Sequence, residues 1–93
     1  MSYNLIFTDS YTRRAIRFLR RHPELRTQYG KTLKLLELNP LHPSLRLHKL
    51  KGSLRDLHSV SINLAYRIAI LFLIEGKTII PVDVGAHESV YSR

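Results

Sequence analysis

The feature that most limits the possible folds is an alternation of side chains over residues 64–74. The even-numbered positions from Leu64 to Ile74 are all large and apolar, whereas the odd-numbered positions include Ala65, Arg67 and Ala69. Successive side chains of a β-strand point to opposite faces of the sheet. We therefore predict a long strand whose even-numbered side packs against helices. Arg67 is predicted to lie on the opposite, uncovered face, where a ligand could approach it.

Two segments with helical spacing supply the layer that this strand needs. The first begins after the N-capping residues Thr8, Asp9 and Ser10, and all five of its arginines fall opposite its apolar side chains. The second is predicted to start at Pro23 and to end at Asn39-Pro40. The apolar faces comprise Tyr11, Ala15, Phe18 and Leu19 in the first helix, with Ile16 at the edge, and Leu25, Tyr29, Leu33 and Leu36 in the second.

Strands are predicted at residues 3–7, 46–50, 54–61, 64–74 and 77–84. Turns are predicted at Gly52-Ser53 and Glu75-Gly76. Pro81 cannot donate to a strand ladder, so the last strand should be bulged or lie partly at an edge. The order β-α-α-β-β-β-β predicts an α+β fold with a twisted, mainly antiparallel sheet and a helical hairpin on one face. We expect one domain, residues 1–93.

Charge is the strongest indication of a partner. The chain has 93 residues, a net charge of +8 and no cysteine, which excludes disulfides and thiolate metal sites. Such a basic surface attracts polyanions, above all nucleic acid, although an acidic protein would satisfy the same charge. No signal peptide pattern is present, and the longest apolar run, residues 68–74, is too short to span a bilayer. We therefore expect a cytoplasmic protein without a membrane.

Several polar groups should gather on the open sheet face and near the C-terminus. RNA cleavage requires a base for the ribose 2′-OH, cations for the phosphate and an acid for the leaving oxygen, and such side chains can provide all three. Each residue taken singly fits a structural role about as well; Arg67, for instance, could simply pair with Asp56 or Asp83. No metal site or cofactor is expected, since the acidic residues are scattered. The candidates are His48, Lys49, Lys51, His58, Arg67, His87 and Tyr91.

Three stretches of this sequence resemble the RelE/ParE toxin superfamily, in particular its RelE-, YafQ- and HigB-like branches. The first covers residues 47–52, Leu-His-Lys-Leu-Lys-Gly. The second is Ser-Val-Ser-Ile-Asn at 59–63 followed by Tyr-Arg-Ile at 66–68. The third is Val-Asp-Val-Gly-Ala-His-Glu-Ser-Val-Tyr at 82–91. Their order and spacing extend the resemblance over nearly the whole chain.

The resemblance implies the toxin of a type II toxin–antitoxin system that cleaves mRNA on the ribosome without a metal. Arg67 would stabilise the scissile phosphate, His87 would act as the acid or stabilise the transition state, and Tyr91 would position the RNA. His58 or His48 would be the base, and His48, Lys49 and Lys51 would contact RNA. The departures are Ile62-Asn63, where the YafQ-like branch has Asp-Trp, and His87, where RelE has arginine.

The same resemblance leaves two other functions open. One is a ParE-like inhibitor that acts on DNA gyrase by binding, although that branch generally lacks a histidine in the tail. The other is an inactive binding module with the same fold. The implied partners are a cognate acidic antitoxin, mRNA and the ribosome. The chain would be a monomeric toxin or part of a toxin–antitoxin hetero-oligomer.

Overall fold

The computed structural model describes residues 2–52 and 56–86. Its elements are strand β1 (Asn4–Leu5), helices α1 (Asp9–Arg21) and α2 (Arg26–Leu38), and strands β2 (His48–Lys49), β3 (His58–Ser61), β4 (Tyr66–Leu73) and β5 (Thr78–Ala86). The strands form one sheet in the order β1-β5-β4-β3-β2, and only the β1–β5 pair is parallel. The predicted α+β class with a mainly antiparallel sheet is confirmed.

Local sequence signals set the helix boundaries. Thr8 caps α1, because its Oγ1 accepts a hydrogen bond of 3.1 Å from the N–H of Tyr11. The second helix starts one turn later than predicted, because Pro23–Leu25 form a 3-10 helix in which the N–H of Leu25 donates to the carbonyl of His22. No helix in the described part of the chain is long and apolar enough to cross a membrane.

The core lies between the two helices and one face of the sheet. Ile68 and Ile70 of β4 are fully buried there, as the alternation predicted. Leu64 and Ile74 were predicted to join them but are 80% and 63% exposed, because β4 is shorter than the alternating run. The remaining core residues of the sheet are Val60, Ile79 and Val84, and those of the helices are Tyr11, Ala15, Phe18, Tyr29 and Leu36.

A bulge in β5 confirms the prediction made from Pro81. Ile70 pairs with Pro81 and Ala69 pairs with Asp83, so Val82 is an extra residue on β5 at this point. Pro81 is buried, and β1 pairs with β5 only at Thr78 and Ile79, so β4 is the strand that pairs with β5 at the bulge. Beyond the bulge the strand continues to Ala86, two residues past its predicted end.

The outer strands are shorter than predicted. Strand β1 spans two residues instead of five, and its side chains are only partly covered. Strand β2 also spans two residues, because Arg46 adopts a left-handed conformation (φ 50°) at the end of the 3-10 helix Pro43–Leu45. The predicted Gly52-Ser53 turn and the start of the third strand at Leu54 lie partly outside the described residues.

Candidate active site

The pairing of β2, β3 and β4 decides which candidate side chains share a face. His48 pairs with Ser59, Ser59 with Ala69, and Ser61 with Arg67. Directly paired residues of an antiparallel sheet point to the same side. His48, Ser59, Ser61, Arg67 and Ala69 therefore lie on the sheet face opposite the core, which we call the far face.

His58 and Lys49 lie on the other side of the sheet. His58 pairs with Ile70 and with Lys49, and Ile70 belongs to the core. The prediction that His58 and Arg67 share one open face is therefore wrong. They are three residues apart in register as well, about 10 Å along the strands. The reason is parity: a difference of one residue in register moves a side chain to the opposite face.

Arg67 is not exposed as predicted. Its exposed fraction is 9%, and its far-face neighbours Ser59, Ser61 and Ala69 are buried too. Strand β4 has β3 on one side and β5 on the other, with Ser61 and Gly85 as the residues paired with Arg67. Because the far-face residues around it are buried as well, Arg67 lies in a covered part of this face, and the prediction of an uncovered side chain is wrong. A buried guanidinium is nevertheless a strong electrostatic feature, because low polarity strengthens its attraction for an anion.

His48 is the exposed histidine of the far face. Its Nδ1 donates a hydrogen bond of 3.1 Å to the carbonyl oxygen of Arg46. This contact assigns the proton of the neutral ring to Nδ1 and the basic lone pair to Nε2. His48 is two strands and two residues away from Arg67, which corresponds to about 12 Å between backbones.

His58 is half-buried on the core side and has a depressed pKa. Burial is the main cause of the lower pKa, and the positive charges of Lys49 and His48 lower it further. The ring meets Phe72 edge-on, with 5.5 Å between centroids. Its buried Nδ1 has no hydrogen-bond partner within the described residues. The lowered pKa favours the neutral form of the His58 ring.

The remaining predicted residues are placed only in part. Lys49 and Lys51 are exposed at β2 and just after it. His87 and Tyr91 lie outside the described residues, so their roles stay predictions. His87 follows Gly85 by two residues in the sequence, and Gly85 pairs with Arg67. Across residues 2–52 and 56–86, no three His, Asp or Glu side chains are grouped so that they could hold a metal ion.

A second group of side chains is not singled out by the sequence patterns. His22 and Tyr66 both line a cavity of about 520 Å³ beside the arginines of α1. The available signal was the spacing of Phe18 and His22, which are four residues apart and so lie on one side of α1. Their contact with Tyr66 is tertiary and has no counterpart in the local sequence.

Comparison with known proteins gives matches by structure alone. No family model and no curated protein sequence matches the chain. YafQ from E. coli superposes with a TM-score of 0.77 at 11% identity, covering 96% of this chain and 98% of that one. YafQ from the E. coli DinJ-YafQ toxin-antitoxin complex gives 0.75 at 13% identity, covering 98% and 99%.

A third structure extends the likeness beyond E. coli. The YoeB/ParE toxin from Agrobacterium tumefaciens superposes with a TM-score of 0.69 at 16% identity, covering 90% of this chain and 98% of that one. The likeness extends over nearly the full length of all three proteins, as the resemblance in the sequence predicted. At these identities it establishes the architecture. The chain has the fold of the RelE/ParE superfamily of toxins.

Proposed function

We propose that the protein is the toxin of a type II toxin–antitoxin pair and that it inhibits translation by cleaving mRNA. The observation that carries the proposal is the pairing of strands that puts His48 and Arg67 on the same sheet face. The fold shared with YafQ and YoeB/ParE toxins supports the toxin role. The net charge of +8 supports a polyanionic substrate.

The proposed cleavage uses the RNA's own nucleophile. A base removes the proton of the ribose 2′-OH, the 2′-oxygen attacks the adjacent phosphorus, and the bond to the 5′-oxygen of the next nucleotide breaks. An acid donates a proton to that departing oxygen, so the products are a 2′,3′-cyclic phosphate and a 5′-hydroxyl. Such a reaction needs positioned acid–base groups and a cation for the phosphate.

The far face offers a base and a cation for this reaction. His48 Nε2 is our preferred base, since His48 shares a face with Arg67, and Arg67 would bind the phosphate as negative charge builds on it. His58 is the alternative base: its lowered pKa favours the neutral ring, but it lies on the core side of the sheet. We keep His87 as the acid or transition-state stabiliser and Tyr91 as the group that positions RNA.

The ribosome is the proposed site of action, in the cytoplasm. The acid–base set is sparse, and a ribosome can hold the mRNA in the in-line geometry that intramolecular attack requires. Lys49 and Lys51 are exposed and would bind the RNA backbone, with Lys49 reaching it from the side of β2 opposite His48. Free toxin should therefore cut naked RNA much more slowly than mRNA on a translating ribosome.

The proposed protein partner is an acidic antitoxin. The similar YafQ structure was determined in a toxin-antitoxin complex. This chain combines its positive charge with exposed apolar side chains such as Phe7, Leu41 and Leu64, which a protein partner could cover. Association with the product of the neighbouring reading frame should be fast and should slow as salt is raised. If that product is acidic and never forms a complex with the chain, the toxin proposal loses its main support.

The nuclease proposal is tested in a reconstituted translation system by mapping mRNA 5′ ends and their chemistry. Wild-type protein should produce 5′-hydroxyl ends, and a 2′-O-methyl group at the scissile position should abolish cleavage. Arg67→Ala should lower the cleavage rate about 100–1000-fold, the usual effect of removing one charge-stabilising donor. His48→Ala should do the same if His48 is the base, whereas His58→Ala should have a small effect.

Matched variants separate chemistry from folding. Because Arg67 is buried, Arg67→Lys is included as well. It retains the positive charge but loses the bidentate hydrogen bonding of the guanidinium group. His42→Ala serves as a control for His48→Ala, because His42 is exposed and contacts Ser44 in a loop. Products with 5′-phosphates would exclude the mechanism. DNA breaks with intact mRNA would indicate a gyrase inhibitor, and binding of the antitoxin without either activity would indicate an inactive module.

A further inference from the structure

A cavity between α1 and the ends of β4 and β5 has the composition of a nucleotide-binding pocket. It measures about 520 Å³, within the range of small-molecule sites. One wall is the outer part of α1, with Arg17, Arg21 and the following His22. The other wall is formed by Tyr66 of β4 and by the end of β5, including Gly85.

Aromatic rings form part of the cavity wall. The centroids of Phe18 and His22 are 4.8 Å apart, those of His22 and Tyr66 are 4.7 Å apart, and those of Phe18 and Tyr66 are 5.4 Å apart. Phe18 is buried, whereas His22 and Tyr66 are partly exposed. The buried phenylalanine therefore supports two rings that contribute to the cavity surface, and such surfaces stack with nucleic acid bases of any sequence.

Arginines line the entrance to the same cavity. Arg14, Arg17 and Arg21 are spaced by three and four residues, so they follow one side of α1. Among the described lining residues, Asp83 is the one with an acidic side chain, and its carboxylate is 3.4 Å from Arg14. Neither Arg17 nor Arg21 forms a salt bridge with an acidic side chain among the described residues. Counted over the described lining residues alone, three arginines and one aspartate give a net charge of +2.

We propose that this pocket binds one nucleotide of single-stranded RNA, with the base against His22 and Tyr66 and the phosphate between Arg17 and Arg21. Rings beside Arg17 and Arg21, which form no salt bridge with a described acidic side chain, match a nucleotide, which carries a flat base and an anion on one unit. An acidic peptide would use the arginines but would leave the rings without a matching group. The pocket is separate from the far face, because Tyr66 and Arg67 are consecutive in β4 and point to opposite sides. The proposal does not require the chain to cleave RNA.

The test uses full-length protein and a fluorescent RNA hexamer in which every 2′-oxygen is methylated, so that 2′-OH attack cannot cut it. Binding is measured by anisotropy at several salt concentrations. Arg17→Ala and Arg21→Ala should each weaken binding about tenfold and reduce the slope of log Kd against log salt by about 0.7. Arg13→Ala and Arg20→Ala are the matched controls, since both arginines are exposed on α1 but outside the lining. They should change Kd less than threefold.

The rings are tested separately, because Tyr66 also packs against Phe18. Tyr66→Phe keeps the ring and should bind normally, whereas Tyr66→Leu should weaken binding about tenfold or more, the usual effect of losing one stacked base. Should Tyr66→Leu fail to fold, NMR of the wild-type protein decides. Adding adenosine monophosphate should shift the His22 ring protons upfield more than those of His42, which lies far along the chain from the lining residues.

Each outcome bears on this pocket independently of cleavage. Equal losses in all four arginine variants, or no shift at His22, would overturn the proposal in favour of diffuse electrostatic attraction. Displacement of the hexamer by an equimolar acidic peptide of the same charge would assign the pocket to a protein partner instead. Selective loss with Arg17→Ala and Arg21→Ala would uphold the pocket even if no cleavage is found. Normal binding by both variants would refute it even if the protein cleaves mRNA.

Discussion

The hydroxyl groups of Tyr11 and Tyr29 link the two helices inside the core. They are 2.6 Å apart and share a hydrogen bond, and their side chains belong to residues that are 1% and 8% exposed. Among the described residues, each hydroxyl has the other as its hydrogen-bond partner. Replacing one tyrosine with phenylalanine therefore leaves a buried hydroxyl unsatisfied, which costs about 1–3 kcal/mol.

A double-mutant cycle tests whether the two hydroxyl groups depend on each other. Tyr11→Phe and Tyr29→Phe should each lower the free energy of unfolding by about 1–3 kcal/mol. The double variant should be close to wild type, because replacing both partners with apolar groups of the same shape can be nearly neutral. The free energies of the two single changes then fail to add, with a coupling of at least about 1 kcal/mol.

Urea unfolding followed by circular dichroism measures these free energies. The midpoint should move while the slope with denaturant stays constant. Tyr3→Phe is the control, because Tyr3 is only partly buried and packs against Phe72 through its ring. It should change stability by less than about 0.5 kcal/mol. Additive free energies in the cycle, or a neutral Tyr29→Phe, would show that water reaches the pair and that the reasoning from burial is wrong.

Four further predictions concern titration and capping. Burial raises the pKa of Tyr11 and Tyr29, so above pH 10 the unfolded chain loses protons that the folded chain keeps, and urea unfolding should show stability falling as the pH rises. The pKa of His58 is lower in the folded chain than in the unfolded chain, so the unfolded state binds a proton first as the pH falls below about 6.5. The free energy of unfolding should therefore decrease as the pH falls below this value, and His58→Gln should remove that decrease. By NMR, Lys49→Ala should raise the His58 pKa, and an unchanged titration would contradict the assigned electrostatic cause. Thr8→Ala should cost about 0.5–2 kcal/mol in thermal unfolding, because it removes the cap of α1.

The parts of the fold that follow from local patterns were predictable from the sequence. Apolar spacing identified both helices, alternation identified the central strand, and Pro81 indicated the bulge in β5. The two-residue extent of β1 was not predictable, because Ile6 and Phe7 have the composition of a strand but are about half exposed in the folded chain. Their pairing depends on where the distant β5 lies, which local sequence does not encode.

The sequence indicates candidate residues for the site but not which of them share a face. Single-sequence patterns indicate which side of its own strand a residue occupies, whereas the sharing of a face between two strands depends on register. His58 and His48 were therefore equivalent candidates until the pairing of β3 with β2 and β4 placed them on opposite faces. The same limit explains the missed cavity, since Tyr66 meets His22 only through the packing of α1 on the sheet.

The alternation that first indicated a strand also explains how one short element can serve two surfaces. Tyr66 and Arg67 are neighbours in β4, and the pleat directs one toward the cavity beside α1 and the other to the far face. Both surfaces are therefore fixed by the same backbone, which β3 and β5 hold on either side. A nucleotide held at the cavity and a phosphate held at Arg67 would be separated by the thickness of one sheet. An RNA strand that occupied both would have to pass around the end of β4 near Ala86, which pairs with Tyr66. His87 and Tyr91 come after Ala86 in the sequence. The residues proposed for acid catalysis and RNA positioning therefore follow, in the sequence, the end of β5 that such an RNA would cross.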